Sequence, residues 1–166
     1  TMPYSPLSRR SFLAGLAAAG TLITLKGKPA MATEAVYAVT KSDAEWRQQL
    51  SAAQYEVLRA HGTEPPGSSP FNDEKRAGLY LCAGCAQPLF DAKTKYHSGT
   101  GWPSFWDHLP QAIGTTTDHK LMLPRTEVHC ARCGGHLGHV FEDGPKPTGL
   151  RYCMNGVALT FEATKI

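Results

Sequence analysis

Two four-residue stretches, CAGC at residues 82–85 and CARC at residues 130–133, decide how this chain folds. Each has the Cys-x-x-Cys spacing that brings two thiolates together on one tight turn. Two such turns can surround a single tetrahedral ion, with zinc–sulfur bonds of about 2.3 Å. Because residues 86–129 separate the two stretches, a shared ion would clamp together distant parts of the chain. We therefore predict a structural zinc ion whose ligands are Cys82, Cys85, Cys130 and Cys133.

Three other uses of these cysteines stay open from the residues alone. Two disulfides would suit an oxidising compartment. A redox-active pair of the thioredoxin type requires a strand that leads into a helix, and neither pair precedes a helical pattern. A compact metal site is the third, although its ligands are more crowded than the pairs of a zinc finger; it would use Cys130, Cys133, His136 and His139.

Residues 1–32 differ in character from the rest of the chain. Arg9-Arg10 precedes a short run of small apolar residues, as in a twin-arginine export signal, and residues 30–32 offer a cleavage site. The apolar run is too short and too rich in glycine and alanine to span a bilayer stably. We expect a signal segment over 1–32, a domain over 33–166 and a periplasmic location. The alternative is a chain anchored in the membrane by its N-terminus.

The charge of the chain is concentrated in that segment. Of the 17 lysine and arginine residues, four lie before residue 33, which leaves 13 against 14 acidic residues in the predicted domain. A domain this close to neutral is a poor electrostatic match for nucleic acid. The charge therefore argues against nucleic acid as a partner.

The remaining pattern predicts a mainly β domain, mostly antiparallel, with a short helical N-terminal flank. Capping boxes begin at Ser42 and Ser51 and predict helices over 43–50 and 52–60. Beyond them, short apolar runs bounded by turn residues predict strands: 78–82, 88–90, 119–123, 127–129, 137–141 and 157–161. Residues 143–149 form a loop. Tight backbone turns at the cysteine pairs are expected to use Gly84 and Gly134.

The fifth cysteine, Cys153, has no partner in sequence. Arg151 would share its face of a strand and favour the nucleophilic thiolate, and Gly156 would permit close approach of a ligand. The alternative is a buried free cysteine that acts as a small hydrophobe. Two histidines in GGHLGH, residues 134–139, could donate or accept protons during a reaction of Cys153. Their presence favours a nucleophilic Cys153 over a buried, inert one. The aromatic residues of SGTGWPSFW, residues 98–106, suit a methyl or thioether group, although Phe105 is expected in the core.

Four segments in this order resemble the methionine-R-sulfoxide reductases: CAGCAQPLF, SGTGWPSFW, RTEVHCARCGGHLGHVFEDGP and TGLRYCMNGVAL. The resemblance covers roughly residues 41–162. It implies two antiparallel sheets, the zinc site described above, and reduction of protein-bound methionine-R-sulfoxide by Cys153. By the same resemblance the sulfoxide oxygen and the thiolate are organised by His136, His139, Arg151 and Asn155. Trp102 and Phe141 would bind the substrate, with Trp102 receiving its methyl group.

The chain departs from many members of that family at one position. Thr100 stands where they carry a resolving cysteine, so a sulfenic acid on Cys153 would need an external thiol. A thioredoxin-like donor is the first expectation, and glutathione or glutaredoxin the second. Two rival hypotheses are a zinc-stabilised binding module for proteins and a general thiol oxidoreductase or peroxidase.

Overall fold

The computed structural model describes residues 36–165, so the predicted signal segment lies outside the described residues. The described chain contains two α-helices, α1 (Asp43–Gln49) and α2 (Ala52–Leu58), and nine strands. The strands are β1 (Gly78–Cys82), β2 (Pro88–Asp91), β3 (Lys95–Tyr96), β4 (Ser104–Phe105), β5 (Ile113–Asp118), β6 (Arg125–Cys130), β7 (His136–Phe141), β8 (Arg151–Met154) and β9 (Leu159–Ala163). They form two antiparallel sheets, ordered β2-β1-β9 and β3-β4-β8-β7-β6-β5, which confirms the predicted fold class.

Both helices begin at the predicted capping boxes. The Ser42 hydroxyl accepts a hydrogen bond from the backbone N–H of Glu45, whose carboxylate accepts one from the Ser42 N–H. Ser51 and Gln54 repeat this exchange at the start of α2. These reciprocal bonds satisfy N–H groups that a short helix would otherwise leave unpaired. Local sequence alone therefore determines where the two helices begin.

The two cysteine turns have the same backbone geometry. The carbonyl of Cys82 accepts from the N–H of Ala86 at 2.8 Å, and the carbonyl of Cys130 accepts from Gly134 at 2.8 Å. Both residues after the pairs have a positive φ, 56° for Ala86 and 68° for Gly134. Both predicted glycines lie at the turns, but only Gly134 has the left-handed conformation. The turn needs a left-handed residue after its second cysteine, and at the first pair an alanine takes that conformation.

The helices pack against these turns and help to hold them in place. Gln49 in α1 donates to the carbonyl of Gly84 at 2.7 Å. Arg59, which follows α2, donates to the carbonyl of Cys133 at 3.1 Å and lies over the ring of Trp46. Leu58 is buried against both turns. The helical flank thus braces both cysteine turns from one side.

An aromatic cluster joins the two sheets. Phe105 on β4 stacks on Phe90 of β2 with ring centroids 4.4 Å apart, and meets Tyr80 of β1 edge-on at 4.9 Å. All three side chains are fully buried. The expectation that Phe105 belongs to the core is confirmed. Because β4 also pairs with β8, this cluster fixes the sheet that carries Cys153 against the smaller sheet.

Two of the predicted strands require correction. Residues 119–123 are not a strand; the strand before them is β5, Ile113–Asp118, and residues 121–123 are exposed. β5 was missed because it is a largely exposed outer strand of threonines, whose propensity favours strands without an apolar pattern. The last strand begins at Leu159 instead of 157, after a 3₁₀ turn at Gly156–Ala158. Within residues 36–165, no helix is both long and apolar enough to cross a bilayer.

Candidate active site

The four paired cysteines meet at one point between the two sheets. Their sulfur atoms all lie within 4.8 Å of one another. The closest contacts join the two turns, at 3.7 Å between Cys82 and Cys133 and 3.5 Å between Cys85 and Cys130. Sulfurs around a tetrahedral zinc ion with bonds of about 2.3 Å lie about 3.8 Å apart. The donor set therefore fits such an ion, and we call it the four-cysteine cluster.

This arrangement overturns two of the alternatives for these residues. All five cysteines are free, so the alternative of two disulfides does not describe this part of the chain. The compact site is also wrong, because His136 and His139 contact carboxylates instead of the cysteine sulfurs. Neither histidine belongs to the group of four cysteines that could share a metal ion.

Cys153 lies half-buried on β8, in the larger sheet. Its direct neighbours across the sheet are Ser104 on β4 and His139 on β7. The hydroxyl oxygen of Thr100 is 3.7 Å from its sulfur. Cys153 is thus away from the four-cysteine cluster and next to one of the two predicted histidines.

A pocket of about 120 Å³ opens beside the sulfur of Cys153. Its walls are Thr63, Trp102, Arg125, Gly138, His139, Phe141, Cys153 and Asn155. The structure therefore brings together most of the predicted site residues around one small cavity. His136 and Arg151 are not part of its wall. The pocket combines a thiol, an imidazole and two aromatic rings, which suits a small, largely apolar group with one polar atom.

His139 is held by a carboxylate on the neighbouring hairpin. Its Nε2 donates to Asp118 at 2.8 Å, and the same oxygen of Asp118 accepts from Arg125 at 2.6 Å. Since an ionised carboxylate only accepts, Nε2 carries the proton and Nδ1 is free to take one up. Burial lowers the pKa of His139 below its ordinary value, although the bond to Asp118 opposes this. Burial thus favours the neutral imidazole, whose Nδ1 can accept a proton and release it.

His136 lies behind His139, with ring centroids 5.5 Å apart. It is almost fully buried, and its Nδ1 donates to Glu127 at 2.6 Å. The same oxygen of Glu127 lies 3.0 Å from Nδ1 of His61, and its other oxygen accepts from Thr116. Hydrogen bonding by His136 lowers the pKa of Glu127 to about 2. Glu127 thus anchors the second histidine from the side away from the pocket.

Arg151 does not reach the pocket, although it shares a strand with Cys153. Its guanidinium forms two bonds of 2.8 Å with the carboxylate of Asp143 and lies over the ring of Phe141 at 4.3 Å. The pair with Asp143 raises the pKa of Arg151, so the guanidinium stays charged. Its position supports a part in holding Phe141 on the pocket wall.

Asn155 and Trp102 both form hydrogen bonds with Glu64, next to Thr63 on the pocket wall. The Asn155 side chain accepts from the N–H of Glu64 at 2.9 Å and donates to the carbonyl of Leu137 at 3.0 Å. Trp102 donates through its indole N–H to the carbonyl of Glu64 at 3.0 Å. The carboxylate of Glu64 in turn accepts from the N–H of Gly156. These bonds fix the wall of the pocket on both sides.

The prediction that Gly156 permits close approach of a ligand is wrong. A Cβ atom there would lie 1.8 Å from the hydroxyl oxygen of Ser69, which is itself buried. The residue must be glycine because the chain packs tightly against residue 69 at this point.

Comparison with known proteins identifies the family to which this chain belongs. The SelR domain family matches residues 50–163. A protein from Agrobacterium fabrum named "Peptide methionine sulfoxide reductase MsrB" is 53% identical over 127 residues, which cover 75% of this chain and 93% of that protein. Proteins of the same name from Hahella chejuensis and Methanosarcina barkeri are 51% and 52% identical over 126 residues each, covering 91% and 89% of their lengths. This chain belongs to the SelR-domain (MsrB) family.

Three carboxylates of this MsrB-family site were not predicted: Glu64, Asp118 and Glu127. Asp118 and Glu127 bond to the two histidines through their carboxylates, and Glu64 bonds to Asn155 through its backbone N–H and to Gly156 through its carboxylate. Glu127 lies within the predicted strand 127–129, but only the pairing of β6 with β7 places it opposite His139. Asp118 lies at the end of the strand that was missed, and Glu64 lies in an irregular segment after α2. Neither carried a local signal.

Replacing Glu127 with Gln should destabilise the chain in a pH-dependent way. A carboxyl whose folded pKa is about 2, against 4.5 ordinarily, stabilises the fold above pH 4.5. That contribution fades as the pH falls from about 4.5 towards 2. Urea unfolding should therefore show Glu127→Gln less stable than the parent by on the order of 2 kcal/mol at pH 7, with a smaller gap at pH 4.

The exposed Glu142→Gln change is the matched control and should leave stability unaltered. A gap between the parent and Glu127→Gln that stayed constant from pH 7 to pH 4 would contradict the assignment.

Proposed function

We propose that this chain reduces the R epimer of methionine sulfoxide in peptides and proteins, with Cys153 as the nucleophile. The observation that carries the proposal is the free thiol of Cys153 on the wall of a pocket shared with His139, Trp102 and Phe141. Membership of the MsrB family supports the same reaction. A binding module has no need for a thiol beside an imidazole in such a pocket.

The chemistry requires a nucleophile and one proton. The thiolate of Cys153 attacks the electrophilic sulfur, and the oxygen takes up a proton as it gains negative charge. Collapse transfers the oxygen, so that a thiolate, a sulfoxide and one proton yield a sulfenic acid on Cys153 and a thioether. The sulfoxide is reduced by two electrons and the cysteine is oxidised by two. Of the two predicted histidines, His139 is the proposed proton donor because it alone lines the pocket. Its Nδ1 first takes the proton of the Cys153 thiol, which leaves the thiolate, and then gives that proton to the sulfoxide oxygen.

The aromatic walls suit the apolar part of the substrate. Trp102 and Phe141 provide ring faces for the methyl group, and the bond from Trp102 to Glu64 fixes the indole. Asn155 lines the same cavity, and we place the sulfoxide oxygen beside it. Arg151 contributes indirectly, because it holds the ring of Phe141 on the pocket wall. The pocket opens to solvent, which supports protein-bound methionine sulfoxide as the substrate.

The decisive experiment uses the separate R and S sulfoxides of a blocked methionine, with dithiothreitol as the reductant. We expect turnover of the R epimer and none of the S epimer, because one enzyme serves each epimer. Cys153→Ser should abolish turnover, while Ser98→Ala, a change of a neighbouring hydroxyl, should retain it. Reduction of the S epimer alone, or of neither, would refute the proposal; turnover of peroxide instead would favour the rival peroxidase.

An external thiol must complete each cycle. In the described chain the four other cysteines are gathered in the four-cysteine cluster, and Thr100 has its hydroxyl 3.7 Å from the sulfur of Cys153. The sulfenic acid therefore condenses with a thiol of another molecule to give a mixed disulfide and water. We propose a thioredoxin-like protein as the donor, with glutathione or glutaredoxin as the alternative.

Replacing Thr100 with Cys should supply the missing thiol. The hydroxyl it replaces lies 3.7 Å from the sulfur of Cys153, close enough for a disulfide after a small side-chain rotation. After one equivalent of sulfoxide without reductant, mass spectrometry should show the parent with one added oxygen on Cys153. Thr100→Cys should instead show a disulfide between residues 100 and 153. An internal disulfide in the parent would contradict the one-cysteine cycle.

We further propose one structural zinc ion per chain in the four-cysteine cluster. Cys82, Cys85, Cys130 and Cys133 would hold it, and a shell filled by four thiolates leaves no position for substrate. Native mass spectrometry should find one zinc ion per chain in the parent. Cys82→Ser should bind no zinc and should no longer unfold in a single cooperative transition. Cys153→Ser is the matched control and should keep both. A purified chain with disulfides at these positions and no metal would refute the proposal.

Export by a twin-arginine route remains our proposal for residues 1–32, on the evidence of Arg9-Arg10 and the short apolar run. The alternative is an N-terminal anchor. Fractionation of cells that express the chain should find it soluble in the periplasm, and Arg9→Lys with Arg10→Lys should leave it in the cytoplasm. Retention in the membrane fraction would favour the anchor.

A further inference from the structure

We propose that Met122 is a self-repair site: a hydroperoxide oxidises it to the sulfoxide, and a second copy of this chain reduces it. The inference rests on the proposed function and names one specific substrate for it, a methionine of the enzyme itself. It is carried by the position, the exposure and the neighbours of this residue.

Met122 lies at the tip of the hairpin formed by β5 and β6. The last pair across this hairpin joins Asp118 and Arg125, so residues 119–124 extend beyond the paired strands; we call them the hairpin tip. β5 is the outer strand of its sheet. The tip therefore has no strand beside it in the described chain, and its backbone is free of the ladder bonds that would hold it in a sheet.

The side chains of the tip are exposed although they are apolar. Leu121 is 60% exposed, Leu123 is 77% exposed and Met122 is fully exposed. Apart from Val36, they are the large hydrophobic residues that the described chain leaves exposed. Single exposed apolar residues are common, but three in succession on one loop indicate a contact with another molecule.

Met122 is also the reactive methionine of the described chain. Met154, the other methionine there, is fully buried in the core beside Cys153. Oxidation of a thioether requires contact between the peroxide and the sulfur. One oxygen atom passes from the hydroperoxide to the sulfur, which loses two electrons, and water or an alcohol is released. Peroxide therefore oxidises Met122 well before Met154.

The repair has to come from a second copy. The sulfur of Met122 is turned to solvent, and the residue does not contribute to the pocket wall beside Cys153 of its own chain. The pocket of another copy is lined by Trp102 and Phe141, which suit a methyl sulfoxide, and it lies open to solvent. The exposed leucines on either side of Met122 add apolar surface for contact around that opening.

The test uses separate target and catalyst proteins. The target is Cys153→Ser, oxidised with hydrogen peroxide and then freed of it. The catalyst is Met122→Leu, which should turn over the R sulfoxide of a blocked methionine as the parent does. Trypsin releases residues 121–125 as one peptide, LMLPR, whose mass reports the oxidation state of Met122 in the target.

With dithiothreitol present, the catalyst should remove about half of the sulfoxide in this peptide, because peroxide forms both epimers at an exposed sulfur and the enzyme accepts one. A catalyst with Cys153→Ser added should remove none. If the catalyst reduces the blocked R sulfoxide but leaves the peptide oxidised, the self-repair site is refuted and the proposed function stands. If it reduces neither, the proposed function fails as well.

Discussion

The gathering of four sulfur atoms is the constraint on which the rest of this structure depends. One pair belongs to the turn between β1 and β2 in the smaller sheet, and the other to the turn between β6 and β7 in the larger sheet. Four thiolates at this spacing would repel one another, and the proposed zinc ion would neutralise them and hold the two turns together. β7 begins directly after the second turn and carries both histidines. The cluster therefore sets the position of the histidines although its cysteines do not line the pocket.

Local sequence was enough for the features that local chemistry determines. The two capping boxes and the paired cysteines predicted the helices and the cluster, because each depends on residues a few positions apart. Most of the pocket residues were found through the family resemblance. Spacing alone could not have assembled them, since Trp102, His139 and Cys153 meet only after β4, β8 and β7 pair.

What escaped prediction depends on contacts between distant segments. The sequence around Ala86 has no pattern that predicts a left-handed residue there. The sequence around Gly156 likewise does not predict that Ser69 packs against it. The exposed leucines of the hairpin tip imitate a buried strand, whereas the true strand, β5, is mostly polar. In each case the pattern along the chain was ordinary, and a neighbour far away in sequence decided the outcome.

The carboxylate of Asp118 both orients His139 and closes the end of the β5–β6 hairpin. One of its oxygens receives both the ring of His139 and the guanidinium of Arg125, which faces it across the last pair of the hairpin. The backbone N–H of Lys120 bonds to the other oxygen. Fraying of an outer hairpin is among the least costly motions of a fold. Here that small local opening would also release the histidine, so the enzyme would lose chemical competence well below the temperature at which its core melts.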